Sequence, residues 1–294
     1  MPVGLQKLVN MKTIYITNKV DLAIYAEGSG VDIIMIDLEI IGKQERQKNV
    51  NTFITDHKLS DIKKIRESLQ TAKLLVRINP MNDDSKQEIK NVLSYNPDYI
   101  MLPMFRTVKE VELFLKYVDG NAKTVLLFET SAALCRVDQI IKIQGIDLAY
   151  IGLNDLSLEF KLSFLFELLS GGIIEYLSKA FTSNKIDFGF GGLSRLDHGI
   201  LDPKLILSEH VRLGSEYVIL SRSFHGDSKS LNDLKEKLDL KSEIAKIKNT
   251  YDFFKNSDKR LLEKNQLKLN VEIDKIVKWK FFMSFLFIPS KMVA

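Results

Sequence analysis

The sequence predicts an α/β fold: a closed (β/α)8 TIM barrel followed by a helical C-terminal extension. Eight short apolar runs recur at intervals of about 25 residues, and amphipathic stretches separate them. No GxGxxG motif opens a helix after the first run, which argues against the rival open doubly wound sheet. The runs are KTIYITN (12–18), DIIMIDL (32–38), LLVRINP (74–80), YIMLPMF (99–105), TVLLFET (124–130), LAYIGLN (148–154), DFGFGGL (187–193) and YVILSRS (217–223). They are apolar nearly throughout rather than alternating, as strands buried on both faces must be, and parallel sheets covered by helices are the usual home of such strands.

The intervening stretches 58–69, 84–94, 107–118 and 203–213 place apolar residues at i, i+3, i+4 and i+7. Thr107 followed by Glu110 forms a capping box, and Pro203 suits a first helical turn. Past residue 226 the pattern changes to a Lys/Glu/Leu-rich helical region. This divides the chain into a barrel over 1–226 and an extension over 227–294, which either crosses a neighbouring subunit or caps the barrel floor.

The 294 residues are 45% hydrophobic and 27% charged, a composition of globular rather than disordered chains. The formal charge of +4 is concentrated in residues 228–294, which hold 15 Lys and Arg against 9 Asp and Glu. Because acids and apolar residues interrupt the lysines, that region reads as a solvated helical face, and no nucleic-acid partner is expected. No window is long and apolar enough to span a bilayer, so no membrane partner is expected either. The N-terminus lacks a secretory pattern, which makes a cytoplasmic location the default expectation. The single cysteine, Cys135, lies in SAALCRVDQII, which reads as a helix packed on a core and gives the thiol a structural role.

Catalytic groups of a parallel barrel gather at the C-terminal ends of its strands. Here those ends carry Asp37 and Glu39, Arg77 and Asn79, Glu129 and Thr130, Asn154 and Asp155, and Ser221, Arg222 and Ser223. Glu129 and Asp155, on adjacent strands, are candidate ligands for Mg2+ or Mn2+, hard ions that take few carboxylates and keep several waters. The alternative is that Asp155 caps the following helix. The four histidines, His57, His198, His210 and His225, show no zinc-ligand spacing. Arg77 within VRINP either grips a substrate carboxylate or enolate through two hydrogen bonds or pairs internally with Asp37 or Glu39. The glycine-rich end of strand seven, with Gly191 and Gly192, and the arginines Arg195 and Arg222 suit an anion or phosphate; the bland alternative is tight turns with surface arginines.

VRINP, PDYIMLPMF, LLFETSAAL and GIDLAYIGLNDLS, in that order, resemble the HpcH/HpaI aldolase and citrate lyase beta-subunit family over about residues 12–225. The resemblance implies a metal-dependent barrel in which Glu129 and Asp155 bind Mg2+ or Mn2+. Glu39 and Arg77, with Lys43 as a replacement base where the chain departs from the family, are the candidate catalytic residues, and Arg77, Leu153, Asn154, Gly191, Gly192 and Arg222 the candidate substrate-binding residues. It also implies carbon–carbon bond cleavage or formation next to a carbonyl, on a 2-oxo acid or an acyl-CoA-like thioester. The chain departs from the family after Glu39, where Ile40 replaces a histidine. Lys43, Glu45 and Arg46 are the ionisable groups in the loop 40–56, and His225 is a further candidate base.

The expected partner is a small carbonyl or carboxylate compound, including a coenzyme A thioester or a phosphorylated compound. A homo-oligomer, trimer or hexamer, is expected from the family. Two alternatives to a lyase stand: an acyl thioester hydrolase that uses the same metal, and a barrel that binds ligand without turnover.

Overall fold

The computed structural model describes residues 11–43, 56–225, 228 and 230–286, with side chains through 282. The loop candidates Glu45 and Arg46 and the end of the apolar C-terminal stretch lie outside these residues.

Eight parallel strands close into a barrel in sequence order, with β1 hydrogen-bonded to both β2 and β8. They are β1 (Lys12–Ile16), β2 (Ile33–Asp37), β3 (Lys73–Arg77), β4 (Tyr99–Leu102), β5 (Lys123–Phe128), β6 (Leu148–Ile151), β7 (Asp187–Leu193) and β8 (Tyr217–Leu220). Most are shorter at the C-terminal end than the apolar runs suggest, because the polar residues there leave the ladder and enter the loops of the mouth. Alternate side chains fill the lumen: Ile14, Ile33, Met35, Leu75, Met101, Val125, Leu127, Leu148 and Tyr150 form one cluster. The opposite parity, including Tyr15, Ile34, Val76 and Leu126, joins the larger core beneath the helices. Both parities are apolar because both faces are buried.

Strands β7 and β8 do not pair regularly. Gly189 is in register with Tyr217, but the next matched pair is Gly192 with Ile219, a bulge. The Tyr150 hydroxyl enters the gap, donating to the Gly191 carbonyl at 2.5 Å and accepting from the Ile219 N–H at 2.7 Å. A side chain at Gly189 would strike the Tyr217 carbonyl at 2.4 Å and the Tyr150 ring at 2.7 Å, so only glycine admits this arrangement.

The outer helices are α1 (Val20–Gly28), α2 (Leu59–Ser68), α3 (Ser85–Leu93), α4 (Val108–Val118), α5 (Ser131–Leu134), α6 (Val137–Ile140), α7 (Leu153–Glu159), α8 (Glu167–Ser170), α9 (Ile173–Ser183) and α10 (Pro203–Leu213). The capping box of α4 forms as the sequence implies: Thr107 accepts from the Glu110 N–H, and Glu110 accepts from the Thr107 N–H. Pro203 opens α10 beside the Asp202 cap, and Gly214 ends it in the left-handed region at φ 79°. The helix expected around Cys135 is a correction. Arg136, at φ −116° and ψ 8°, leaves the helical region and splits the segment into α5 and α6, and Cys135 is exposed at the junction.

The extension forms α11 (Leu231–Lys237), α12 (Leu240–Lys255) and α13 (Lys259–Leu286), the first two capped by Ser230 and Asp239. Helix α12 packs against α1 and α10, and α13 runs along α10 and touches α8. Helix α12 also meets the segments that lead into the N-terminal ends of β2 and β8, where Lys248 Nζ donates to the Gly30 carbonyl at 2.7 Å and Tyr251 Oη to the Ser215 carbonyl at 3.1 Å. The solvent side of α13 exposes Leu267, Val271, Trp279, Phe281 and Phe282. Among the described residues no helix is long and apolar enough to cross a membrane.

Candidate active site

Strand parity delivers the site. Asp37 follows Ile33 and Met35 on the lumen-facing parity of β2, and Arg77 follows Leu75 on β3; the two are register partners at the top of their strands. They form a two-pronged ion pair, Arg77 Nε to Asp37 Oδ1 and Arg77 Nη2 to Asp37 Oδ2, both at 2.8 Å. Lys43 donates to the same Oδ2 at 2.5 Å, and Arg77 Nη2 also stands 3.4 Å from Glu39. Asp37, Glu39 and Lys43 are all buried. Burial alone would raise the Asp37 pKa, but Arg77 and Lys43 outweigh it and hold the carboxyl far below the usual carboxylate range. Burial opposes the Arg77 charge as well; Asp37 first, then Glu39 and Glu129, more than restore it.

Glu129 follows Val125 and Leu127 on the lumen-facing parity of β5 and is 3% exposed. It accepts one hydrogen bond, from the Met104 N–H at 3.1 Å. Burial pushes its pKa well above the ordinary value, and the negative charges of Asp155 and Glu39 push the same way against Arg77. Asp155 lies in the first turn of α7 and is half-buried. The space for Glu129 is made by Gly152 at the end of β6, where a Cβ would lie 2.8 Å from Glu129 Oε2.

Among the described residues four carboxyl groups, Asp37, Glu39, Glu129 and Asp155, gather near Arg77 and Lys43. A buried carboxylate repelled by its neighbours, as Glu129 is, suits a divalent cation held through oxygen. Among the described residues no three His, Cys, Asp or Glu side chains gather into a metal-holding group, so Glu129 and Asp155 would rely on water and substrate oxygens for the rest. The residues present therefore fit Mg2+ or Mn2+ rather than a closed zinc site.

The remaining expected residues fall in different places. Leu153 is buried and packs under Gly191, where a Cβ would meet Leu153 Cδ1 at 2.8 Å, so its side chain belongs to the core and a ligand can reach only its backbone. Asn154 and Gly192 are exposed at the rim. Gly191, at φ 63°, gives its carbonyl to Tyr150. Arg222 is exposed in a single 3-10 turn, while Arg195 lies against His198, with its N–H donated to Ser223 Oγ at 3.0 Å. His225 stacks on Tyr15, a residue of the helix-facing core, with ring centroids 4.1 Å apart, which takes it away from the lumen.

Lys43 is expected as a base, yet the structure shows it as a buried donor to Asp37. Two residues at the site carry no sequence signal. His57 accepts the Asp37 N–H through Nδ1 at 2.9 Å, so its proton sits on Nε2, and burial lowers its pKa. Glu88 on α3 accepts from Asn79 Nδ2 at 2.8 Å.

An HpcH/HpaI aldolase/citrate lyase family model matches residues 15–164. No curated protein sequence matches the chain. A solved HpcH/HpaI aldolase/citrate lyase family protein from Burkholderia cenocepacia J2315 superimposes with a TM-score of 0.58 at 11% identity, covering 72% of this chain and 88% of that one. An HpcH/HpaI aldolase from Desulfitobacterium hafniense DCB-2 gives 0.55 at 14% identity, over 72% of this chain and 86% of the other. The citrate synthase SbnG gives 0.58 at 15% identity, over 78% and 94%. These likenesses share the barrel, and with the family model covering half the chain and the acidic cluster at the strand ends, the chain belongs to the HpcH/HpaI aldolase/citrate lyase family.

Proposed function

We propose that this chain is a divalent-metal-dependent carbon–carbon lyase of the aldolase type, acting on a 2-oxo acid or an acyl-CoA-like thioester through an enolate. Membership of a family of aldolases and citrate lyase-like enzymes supports an enzyme of lyase or aldolase type. The observation that carries the finer reading is the buried Glu129, coupled to Asp155 and facing Arg77 across the lumen. When bound by Glu129 and Asp155, Mg2+ or Mn2+ would supply Lewis-acid polarisation of the substrate's carbonyl and carboxylate oxygens.

The chain's own residues do the rest. Asp37 occupies Nε and Nη2 of Arg77 and so fixes the plane of the guanidinium, while Nη1 makes no hydrogen bond among the described residues. That nitrogen is the donor available to an oxygen on which negative charge develops, in a site dry enough for the interaction to count. Gly191 and Gly192 leave the β7 side of the mouth unobstructed for the substrate's far end. The seating of Lys43 on Asp37 keeps a second cation beside Arg77, where it offsets the charge of an incoming carboxylate.

That same seating favours a second reading. With Lys43 acting as a donor and His225 turned from the lumen, neither described base candidate serves a substrate hydroxyl, and hydrolysis of an acyl thioester requires none there. Proton NMR of pyruvate in deuterated buffer separates the two. Metal-dependent loss of the methyl signal, abolished in Glu129→Ala and Asp155→Ala, is the expected result for enolate formation. Intact methyl signal with pyruvate and Mn2+ both bound overturns the 2-oxo acid form of the lyase reading and turns attention to coenzyme A thioesters, cleaved at carbon or hydrolysed.

A further inference from the structure

The turn that follows strand β2 has little to hold it except hydrogen bonds. Ile40 and Ile41 are 64% and 47% exposed, so apolar burial does not anchor them. Their N–H groups instead donate to one atom, Asn79 Oδ1, at 2.9 and 3.1 Å. Asn79 lies just beyond the end of β3, two residues after Arg77. On its other side it gives two donors, the backbone N–H and Nδ2, to Glu88 Oε1 at 3.2 and 2.8 Å. The amide has only one orientation compatible with both partners, since the two N–H groups demand its oxygen and the carboxylate demands its nitrogen. The turn is closed by the Lys43 N–H on the Ile40 carbonyl at 3.3 Å, and it ends with Lys43 Nζ on Asp37, the carboxylate that also grips Arg77.

We infer that Asn79 and Glu88 are positioning residues that brace the 40–43 turn against strand β3, seating Lys43 on Asp37 and presenting Arg77 to substrate in one orientation. Neither touches the reacting atoms in this arrangement; both act through the turn. The acceptor atom on Glu88 matters and its charge does not, because a glutamine oxygen can take the same two donors. At position 79 the polarity matters, because a carboxylate there accepts from Ile40 and Ile41 but has no proton for Glu88 and repels it.

The kinetic half of this inference rests on the proposed function; the structural half does not, and hydrogen exchange reads it alone. In a peptide spanning 36–43, Asn79→Ala is expected to speed exchange of the amides at 40, 41 and 43 by about tenfold or more, the loss of one to two shared hydrogen bonds. Glu88→Gln is expected to leave exchange unchanged. Asn79→Asp is expected to speed it, and the double variant Asn79→Asp with Glu88→Gln to slow it again, because the glutamine nitrogen can donate to the introduced carboxylate. Circular dichroism confirms that each variant folds.

In pyruvate methyl exchange, kcat is expected to fall about tenfold in Asn79→Ala and in Asn79→Asp and to recover from the latter in the double variant, with Mn2+ affinity unchanged. Unaltered exchange in Asn79→Ala, or no recovery in the double variant, overturns the brace. An active wild type whose kcat survives Asn79→Ala overturns its role in positioning. The expected exchange pattern in a protein inactive on pyruvate upholds the brace and overturns the proposed activity instead.

Discussion

Replacing Gly152 with alanine tests whether Glu129 lies where the site needs it. Gly152 has φ −82° and ψ 91°, a conformation alanine adopts without strain. On backbone grounds alone the substitution would stabilise by roughly 0.4–1 kcal/mol through the unfolded chain. The added Cβ, however, would lie 2.8 Å from Glu129 Oε2, 2.9 Å from Glu129 Cβ and 3.3 Å from Leu127 Cδ1. The carboxylate end can swing away, but Glu129 Cβ is fixed by the backbone directly after strand β5, and carbon atoms prefer a separation of about 3.5–4 Å. Overpacking of this kind costs about 1–3 kcal/mol, so the expected net change is a loss centred on about 1.3 kcal/mol, within roughly 0–2.6 kcal/mol. In a chain of this size each kcal/mol lowers the melting temperature by about 2–4 °C. The internal control is Gly28→Ala at the end of α1, where a Cβ meets nothing within 4 Å; its melting temperature should hold or rise. Thermal melts followed by circular dichroism, with Mn2+ affinity measured by electron paramagnetic resonance, give both readouts. A Gly152→Ala protein as stable as the wild type and with undiminished Mn2+ affinity would refute the placement of Glu129 against strand β6 and the metal site built on it.

Asp37→Asn should be among the most damaging single changes, at about 3–5 kcal/mol, because it leaves Arg77 and Lys43 buried against a neutral amide; urea denaturation checks it, and a loss under about 1 kcal/mol sinks the ion-pair argument. His210 is fully buried, stacked 3.8 Å from Phe190 and bonded to Ser215, and burial lowers its pKa to about 3. Since the unfolded chain takes up a proton near pH 6.5 that the folded chain refuses until about 3, its contribution is complete above pH 6.5. It is lost as pH falls through that window, with a slope of up to about 1.4 kcal/mol per pH unit. In His210→Phe, stability measured from pH 7 to 4 should show a shallower slope, and an unchanged slope removes His210 from the acid response. The exposed Leu267, Val271, Phe281 and Phe282 on α13 lead us to propose a homo-oligomer, trimer or hexamer. Light scattering should show it, with Leu267→Glu plus Val271→Glu reducing the mass, and a monomeric wild type ends that proposal.

The barrel is legible in the sequence because a strand covered on both faces leaves an unmistakable mark: Leu74, Leu75 and Val76 are all apolar although they point alternately inward and outward. Local signals such as the Thr107 box survive because their partners are three residues away. What sequence does not carry is the choice of partner across the mouth. Arg77 has two sequence-level readings, substrate grip or internal pair, and the structure shows the pair with Asp37; the grip belongs to the nitrogen that remains. Lys43 reads as a candidate base, but three-dimensional closure of the turn buries it as a donor. His57 and Glu88 announce nothing at all, since one is brought to the site by the segment leading into α2 and the other by α3, and packing rather than local pattern sets both positions. Cys135 shows the converse: SAALCRVDQII reads as one helix, and the non-helical Arg136 divides it in two.

Tyr150 gives the closed sheet a dependence that the other strand pairs lack. At the seam between β7 and β8 one rung of the ladder is a phenol anchored on β6, so two neighbouring strands are joined through a third. In assembly terms, that rung cannot exist until β6 is already docked, which makes it a late event in closing the ring. The Ile219 amide is therefore a natural reporter of closure: its protection against exchange tracks the completed cylinder rather than any single strand pair, and Tyr150→Phe should remove that protection while leaving the seam from β1 to β6 intact.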